Sequence, residues 1–599
     1  MTAAARPVAT TPLQEDLAVG SRSRLSAMAT TRARAPWGTG RDALVLAEGR
    51  SVVRSWPTRK RLALENPARH ATGARTSDLS SRDGTPGSPD LHHRSRPWGA
   101  PLALLLVLFT PAACTRERED LTVSVPYDVK TLDPHAWNYL GEFTIASHFY
   151  EPLVTTDAEM RLRPCLAERW ENPDPLSWTL HLRQGVAFHS GRPLRARDVV
   201  YTLNRLRTEQ GLEMSSRVGD VSDVRALDDL TIRIRTTRPV IILLHHLRFV
   251  AIVPEGAGEG LAEAVDGTGP YRLAEWKKGD SLRMARNERY WGSRPAFASV
   301  TFRTGREPEP AAEDLLTGSS QLVQCDSAAA VAPLERTGRF QVWRHTNIRL
   351  DYLAFDLSHE VTPHASARTN PFRDRRVRQA IHQTLDRRRL AEDGAGRSVP
   401  AHQLVPPFVF GFDPQVPESV PDPENARRLL EAAGYPRGFR ATLHTRSLFR
   451  EVAEEVSRQL LPVGIEVDVR LEASAEFFER LRRGDVGMYI LGFGCVTGDA
   501  SEVLENGIHT RDDAGRWGPH NYGGYSNAEL DQLIEAGAGL EDLKARGPHL
   551  AQTMSRVMEE VPWIPLRFER DLYAAEKTLA WRPRHDSFIL AHEAAPRSR

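Results

Sequence analysis

Asp499 is the residue of this chain best placed to do chemistry on a bound molecule. It stands in GFGCVTGDA (492–500), directly after an apolar stretch that reads as a strand, Met488–Leu491. A carboxylate in such a loop could accept charge-assisted hydrogen bonds from a cationic group. It could equally turn the chain and cap a helix over Ala500–Leu504, and both readings stand. Phe493 and Cys495 share the loop. Asn138, Tyr139 and Tyr525 are further candidates, as side chains that could wall a cleft, although aromatic residues in such positions also serve as core.

Other chemistries lack their residues. There is no GxxxxGK[ST] phosphate loop, no GxGxxG after a strand and no GxSxG elbow. His359-Glu360…His364 has the wrong spacing for zinc, and Pro363 would break the helix that must present both imidazoles on one face. On a strand, the adjacent His245 and His246 would point to opposite faces. These pairs are read as structural or surface residues. Four cysteines without CxxC spacing give neither a zinc cluster nor a disulfide framework. The reading is therefore of a protein with no catalytic residue, no metal site and no cofactor. A formal net charge of +1 provides no global field for nucleic acid.

The elements that must position the loop are legible by periodicity. Alternation gives strands at Leu121–Val125, Trp178–Leu182, Thr231–Arg235, Arg349–Asp356 and Phe439–Thr445. It gives two more at Ile465–Leu471 and Met488–Leu491, and Trp563–Leu566 and Asp571–Tyr573 close the chain. Apolar stripes predict helices at Ala196–Arg207, Glu451–Leu461, Ala475–Arg483 and Leu550–Glu559. Asn527 is expected to cap a helix that follows it. The basic run 372–390 is expected as one helix, its arginines a solvated face over Val377, Ile381 and Leu385. Strand–helix alternation after 425 implies a parallel α/β sheet.

The first hundred residues differ. Residues 1–96 are rich in Arg, Ala, Pro, Ser and Thr and lack sustained apolar periodicity, so they are expected to be disordered. Arg94 and Arg96, the apolar run 102–109 and then Pro111-Ala112-Ala113-Cys114 resemble a bacterial lipoprotein signal, with Cys114 as the lipidated residue. A signal at this depth implies a translation start downstream of Met1, near residues 85–95.

Two stretches carry a wider resemblance. RPCLAERWENPDPLSWTLHLRQGVAFHSGRPLRARDVVYTLNRL (163–206) and GTGPYRLAEWKKGDSLRMARNERYW (267–291) resemble the peptide/nickel-binding family (family 5) of extracytoplasmic solute-binding proteins of ABC importers. Leu132–Pro134, Tyr150–Leu153 and the VRQAI of 377–381 are similar to the same family, and the likeness covers roughly residues 120–595. It implies a two-lobe periplasmic binding protein fold of α/β class (type II), hinged between lobes, with a small domain inserted in the first.

The implied layout is a first-lobe segment at 115–155, the insert at 156–265, more of the first lobe at 266–350, the second lobe at 351–570 and a return at 571–599. By the same resemblance Asp499 would bind a peptide α-ammonium, with Phe493 where Trp is common. Trp178, Trp276 and Trp291 would be packing residues. The implied function is a monomeric, lipid-anchored receptor on the periplasmic or outer face of the membrane, delivering an oligopeptide-like solute to ABC permease subunits with separate ATPases. A receptor for a nickel chelate, glycoside or other small solute is the alternative within the class. An envelope hydrolase or a chaperone is the alternative outside it.

Overall fold

The computed structural model describes residues 119–262, 264–392, 396–513 and 515–597. The expectations for 1–96, for the signal at 97–114 and for Cys114 lie outside these residues.

An eleven-stranded mixed sheet organises the molecule. In order across it run Ile465–Glu472, Phe439–Arg446, Met488–Gly494, Phe340–Phe355, Trp563–Glu576, Leu322–Gln324, Asp120–Ser124, Ser299–Arg303, Ser281–Arg286 and Tyr271–Lys277. Ser398–Pro400 adds to the side of Trp563–Glu576. The expected parallel pairing is present between Phe439–Arg446 and both of its neighbours, with helix Arg450–Leu460 crossing between strands. Met488–Gly494 then pairs antiparallel with Phe340–Phe355, so the sheet is mixed where a parallel one was expected.

Two strands are much longer than periodicity suggested. Arg349–Asp356 is the second half of the 16-residue strand Phe340–Phe355. The two short closing strands are one, Trp563–Glu576, because the ladder with Phe340–Phe355 continues at Arg567, Phe568 and Arg570, of which Phe568 is buried and the arginines half-buried. The long strands pair with each other, and their register slips between Thr346 and Leu350. Residues 347–349 mark the place where one half of the sheet gives way to the other.

A separate four-stranded antiparallel sheet contains Ala167–Asp174, Ser177–Leu182, Thr231–Thr236 and Val221–Ala226. Helix Ala196–Thr208 covers it with Val199, Leu203 and Leu206. Asp198 closes a capping box on that helix and is fully buried.

The basic segment 372–390 is not one helix. Asp374 caps Arg375–Thr384, the chain straightens at Leu385, and Asp386 caps a second helix, Arg387–Ala391. Asp386 accepts from the Arg388 amide at 3.0 Å, so a helix start overrides the continuing periodicity. Nor are all the arginines solvated. Arg378 is buried and donates to the carbonyls of Val561, Phe372 and Glu560 at 2.8–3.0 Å. Arg387 is buried too, bonded to the carbonyls of His382 and Leu385, and burial pushes its guanidinium down to about 9.

The two stretches that carried the resemblance meet at Glu151, where the Cys165 thiol of the first lies 3.9 Å from Glu151 Oε1. Its carboxylate accepts from Thr268 Oγ1 at 2.7 Å, Tyr290 Oη at 2.7 Å and Trp291 Nε1 at 2.8 Å. Burial raises its pKa against the pull of those donors. The glycine turn seats on the same segment, since a Cβ at Gly267 would lie 1.9 Å from the Phe149 carbonyl oxygen. Trp291 thus holds a carboxylate as well as packing.

Glu151→Ala would strand three donors beside a buried void. We expect a loss of at least about 3 kcal/mol in urea unfolding, against a smaller loss for Glu151→Gln. Equal, sub-kilocalorie effects would show that the hub is not structural.

Candidate functional site

Strand Met488–Gly494 delivers the loop that holds Asp499. Val496 N donates to Gly494 O at 2.9 Å and Gly498 N to Cys495 O at 3.1 Å, which folds the chain back on itself. Gly498 takes φ +71°, and a Cβ there would approach Met160 Cβ to 3.2 Å. Only glycine meets both conditions cheaply. Phe410 pins the outgoing side, donating to Gly498 O at 3.0 Å and accepting from Ala500 N at 2.8 Å.

Asp499 itself is buried and engaged. Its carboxylate accepts from Arg546 Nη1 and, at 3.0 Å, Nη2, and from the Ser501 amide at 3.0 Å. Arg546 projects from helix Leu543–Glu560, which begins well before the expected Leu550, and its Nε donates to Gly537 O at 3.1 Å. The cation that meets Asp499 therefore belongs to this chain, and the Ser501 contact is the turn that was its other reading.

The remaining sequence candidates do not share one surface. Cys495 is buried, with its thiol directed at Asp499 O at 3.1 Å and burial pushing its pKa well up. Phe493 packs in the core with Trp563, their ring centroids 5.9 Å apart. Tyr525 belongs to that core too and is held by Asn521 and Asn527. Asn527 caps helix Ala528–Ala538, as expected. Tyr139 begins helix Leu140–Ala146, its ring 5.5 Å from Trp137. Asn138 reaches a buried guanidinium, since its Oδ1 accepts from Arg217 Nη2 at 3.4 Å. Cys165, Cys325 and Cys495 are all free.

That arginine opens a constellation which sequence reading missed. Helix Leu243–Leu247 carries His245 and His246 on helical rather than extended backbone, and Arg248 follows as its C-cap. Arg248 Nη1 donates to Thr156 Oγ1 at 2.6 Å and to Asp586 at 3.3 Å. Its Nη2 donates to the Val496 carbonyl at 3.0 Å. One guanidinium thus ties the segment at 156, the C-terminal segment at 586 and the loop before Asp499. The Arg217 and Arg248 guanidiniums lie 4.6 Å and 4.1 Å from the ring centroid of Phe249. Across from them Glu502 accepts from Thr497 N at 2.7 Å and Thr497 Oγ1 at 2.9 Å.

Burial sets the electrostatics here. It holds Arg217 below the usual guanidinium range and pushes Arg248 down to about 10, with Asp586 opposing the shift in Arg248. It raises the carboxyl of Glu502. It lowers His245 to about 4 and His246 to about 3, so both are neutral at pH 7. The arrangement can bind and orient a polar molecule. The sequence signal for it was IILLHHLRFVAIV (241–253), an apolar run interrupted by two imidazoles and a guanidinium that a buried segment must satisfy.

Comparison with known proteins places this geometry in context. The family model described as bacterial extracellular solute-binding proteins, family 5 Middle, matches residues 161–515, more than half of the chain. The chain is 28% identical over 498 residues to the glutathione-binding protein GsiB of Shigella dysenteriae serotype 1, covering 80% of this chain and 94% of the relative. Its fold is similar to that of HbpA2 from Haemophilus parasuis, with TM-score 0.72, 21% identity and coverage of 80% and 100%. It is also similar to the periplasmic binding protein DppA from Helicobacter pylori in complex with peptide STSA, with TM-score 0.65, 21% identity and coverage of 80% and 98%.

Two measurements test this geometry. Asp499→Ala leaves the Arg546 guanidinium buried without its carboxylate and should cost about 3–5 kcal/mol in urea unfolding. A loss under about 1 kcal/mol would mean that water replaces the pair. The second concerns pH. A histidine whose folded pKa lies below its unfolded value of about 6.5 binds fewer protons when folded, so stability falls as pH drops from about 6.5 towards 4. Replacing His245 and His246 by Asn should shrink the loss between pH 7 and pH 5 by up to about 2 kcal/mol for each residue. An unaltered loss would show that neither imidazole stays neutral in the fold.

Proposed function

The chain belongs to the bacterial extracellular solute-binding proteins, family 5, the receptors of ABC importers, and on that premise we propose that its ligand is a short peptide or a peptide-like solute. The observation that carries this reading is the polar junction at Arg248. Its Nη2 meets the loop at Val496 and its Nη1 meets Thr156 and Asp586, so three separate chain segments converge on one buried guanidinium. Ligand enclosed there would sit in a water-poor site where each polar contact gains strength. The names of relatives support the ligand class, one being a glutathione-binding protein and another carrying a bound tetrapeptide.

In this reading the two halves of the sheet close on the ligand about residues 347–349, where the long strands lose register. The closed receptor docks on permease subunits whose ATPase partners supply the energy. The protein acts as a monomer on the outer face of the membrane, held by lipid at Cys114. It is a binding protein and not an enzyme. Asp499 acts through Arg546 to shape the loop, and direct contact with the ligand falls to other residues.

A thermal-shift screen of the full chain against di- to pentapeptides with glutathione, nickel chelates and oligosaccharides tests the class. A ligand at one hundred times its Kd should add about 2.7 kcal/mol of stability. Stabilisation by the peptide pool is the expected result. Stabilisation by a chelate or sugar pool would keep the receptor and discard the peptide. Turnover of a pool component would favour a hydrolase, and suppression of client aggregation without any ligand shift would favour a chaperone.

A further inference from the structure

We propose that Glu505 is a proton-operated clasp between the four-stranded sheet and the half of the large sheet that holds Met488–Gly494, closing as it takes up a proton. This inference rests on the receptor reading above and deepens it, naming a group that sets the balance between open and closed forms.

The clasp joins two separately built parts. Arg238 follows strand Thr231–Thr236 of the four-stranded sheet, and Asp220 precedes strand Val221–Ala226 of the same sheet. The Arg238 guanidinium is forked on Asp220, Nε to Oδ1 and Nη2 to Oδ2, both at 3.1 Å. Glu505 comes from the other part, in the helical turn Leu504–Ile508 that follows the loop of Asp499. Its Oε2 lies 3.5 Å from both Nη1 and Nη2 of Arg238. Trp517, further along that part, places its ring centroid 4.7 Å from the same guanidinium. Next to Arg238, Pro239, Val240 and Ile241 face Ala538, Gly539 and Glu541 across a shallow groove. The two parts thus meet along a seam, and the Glu505 side chain within it is only 7% exposed.

The charges around the seam leave Glu505 over. Asp220 already answers Arg238. Arg546 holds Asp499, and Glu502 feels Arg217 and Arg248. On helix Ala528–Ala538, Asp531 and Glu535 face His509. His246, which feels Arg217 and Arg238, is neutral. Two carboxylates therefore share one guanidinium out of water, and a shared cation at 3.5 Å does not offset the lost solvation of the second. Burial pushes Glu505 up to about 7, with Asp499 and Asp220 adding repulsion and Arg238 and Arg546 opposing it. With a proton on Glu505, the trio of Arg238, Asp220 and Glu505 is electroneutral.

Opening the seam would return Glu505 to water and to its ordinary value near 4.5. The closed value lies above the open one, so the closed form binds the proton more tightly. It gains as pH falls through about 7 and loses as pH rises through it. His245 and His246 are held below their ordinary value and work the other way, but only below about pH 6.5. The window from pH 8 to pH 6.5 therefore belongs to Glu505.

The test needs no ligand. Spin labels at Arg225→Cys on the four-stranded sheet and Arg483→Cys on helix Ser474–Arg483, both exposed positions, report the separation of the two parts in the full chain. The chain without these substitutions, with Cys165, Cys325 and Cys495 buried, supplies the background. The closed-to-open ratio should rise about fourfold from pH 8 to pH 6.5. Glu505→Gln, which mimics the protonated carboxyl, should hold that ratio level and rich in the closed form. Asp220→Asn frees Arg238 for Glu505 and should move the transition to lower pH, which a merely structural carboxylate would not do. A ratio insensitive to pH, or a single separation at both pH values, would overturn the clasp and leave the receptor reading intact. So would a Glu505→Gln chain that responds to pH as the native one does. Were that variant not to fold, the native and Asp220→Asn profiles would decide. Failure of the receptor reading would show instead as a flat thermal-shift screen.

Discussion

The molecule depends on two strands that belong to both of its halves. Phe340–Phe355 pairs at one end with Met488–Gly494, and Trp563–Glu576 pairs at the other with Leu322–Gln324. Between those ends they hold each other, with a slip in register at 347–349. Asn347 fills the slip, donating through Nδ2 to Asp571 at 3.0 Å and accepting the Arg349 amide at 2.9 Å. His585 stacks on His345 and Phe408 and bonds the Thr346 carbonyl at 2.7 Å. Regular ladder runs on either side of the slip, and side-chain bonding replaces it there.

Charge burial is the second organising theme, and the chain solves it in different ways. Glu151 collects three neutral donors. Arg378 and Arg387 are met by backbone carbonyls, whose dipoles neutralise no charge but satisfy the donors. Asp499 and Arg546 meet as a pair. Arg217 and Arg248 follow none of these patterns fully, and they lie where segments from 138, 156, 496 and 586 converge.

Much of the scaffold was legible. Alternation located most of the strands, and Asn527 was recognised as a cap because its side chain precedes an apolar stripe. What misled were places where one residue outvotes a pattern. Asp386 starts a new helix inside a continuous stripe, and Asp542 starts helix Leu543–Glu560 ahead of the apolar stripe that begins at Leu550. The polar residues of Trp563–Glu576 hid a continuous strand. Site residues were less legible. Asp499 stood out because a loop after a strand is a common place for a ligand contact, yet its partner is 47 positions away and unmarked. Arg217 and Arg248 are 31 residues apart on unrelated turns, and only folding brings both to one phenylalanine ring.

The strand order has a consequence in time. Asp120–Ser124 is the first strand among the described residues, and Leu322–Gln324 completes its side by pairing with 573–575. A ribosome must therefore release nearly the whole polypeptide before the earliest strand lies within a finished sheet. Until then Leu322–Gln324 has an unpaired edge, and such edges recruit foreign strands. Long sequence separations also slow the closing step. A chain built in this order stays unfinished through most of its synthesis, and it reaches the native state only once its last hundred residues arrive.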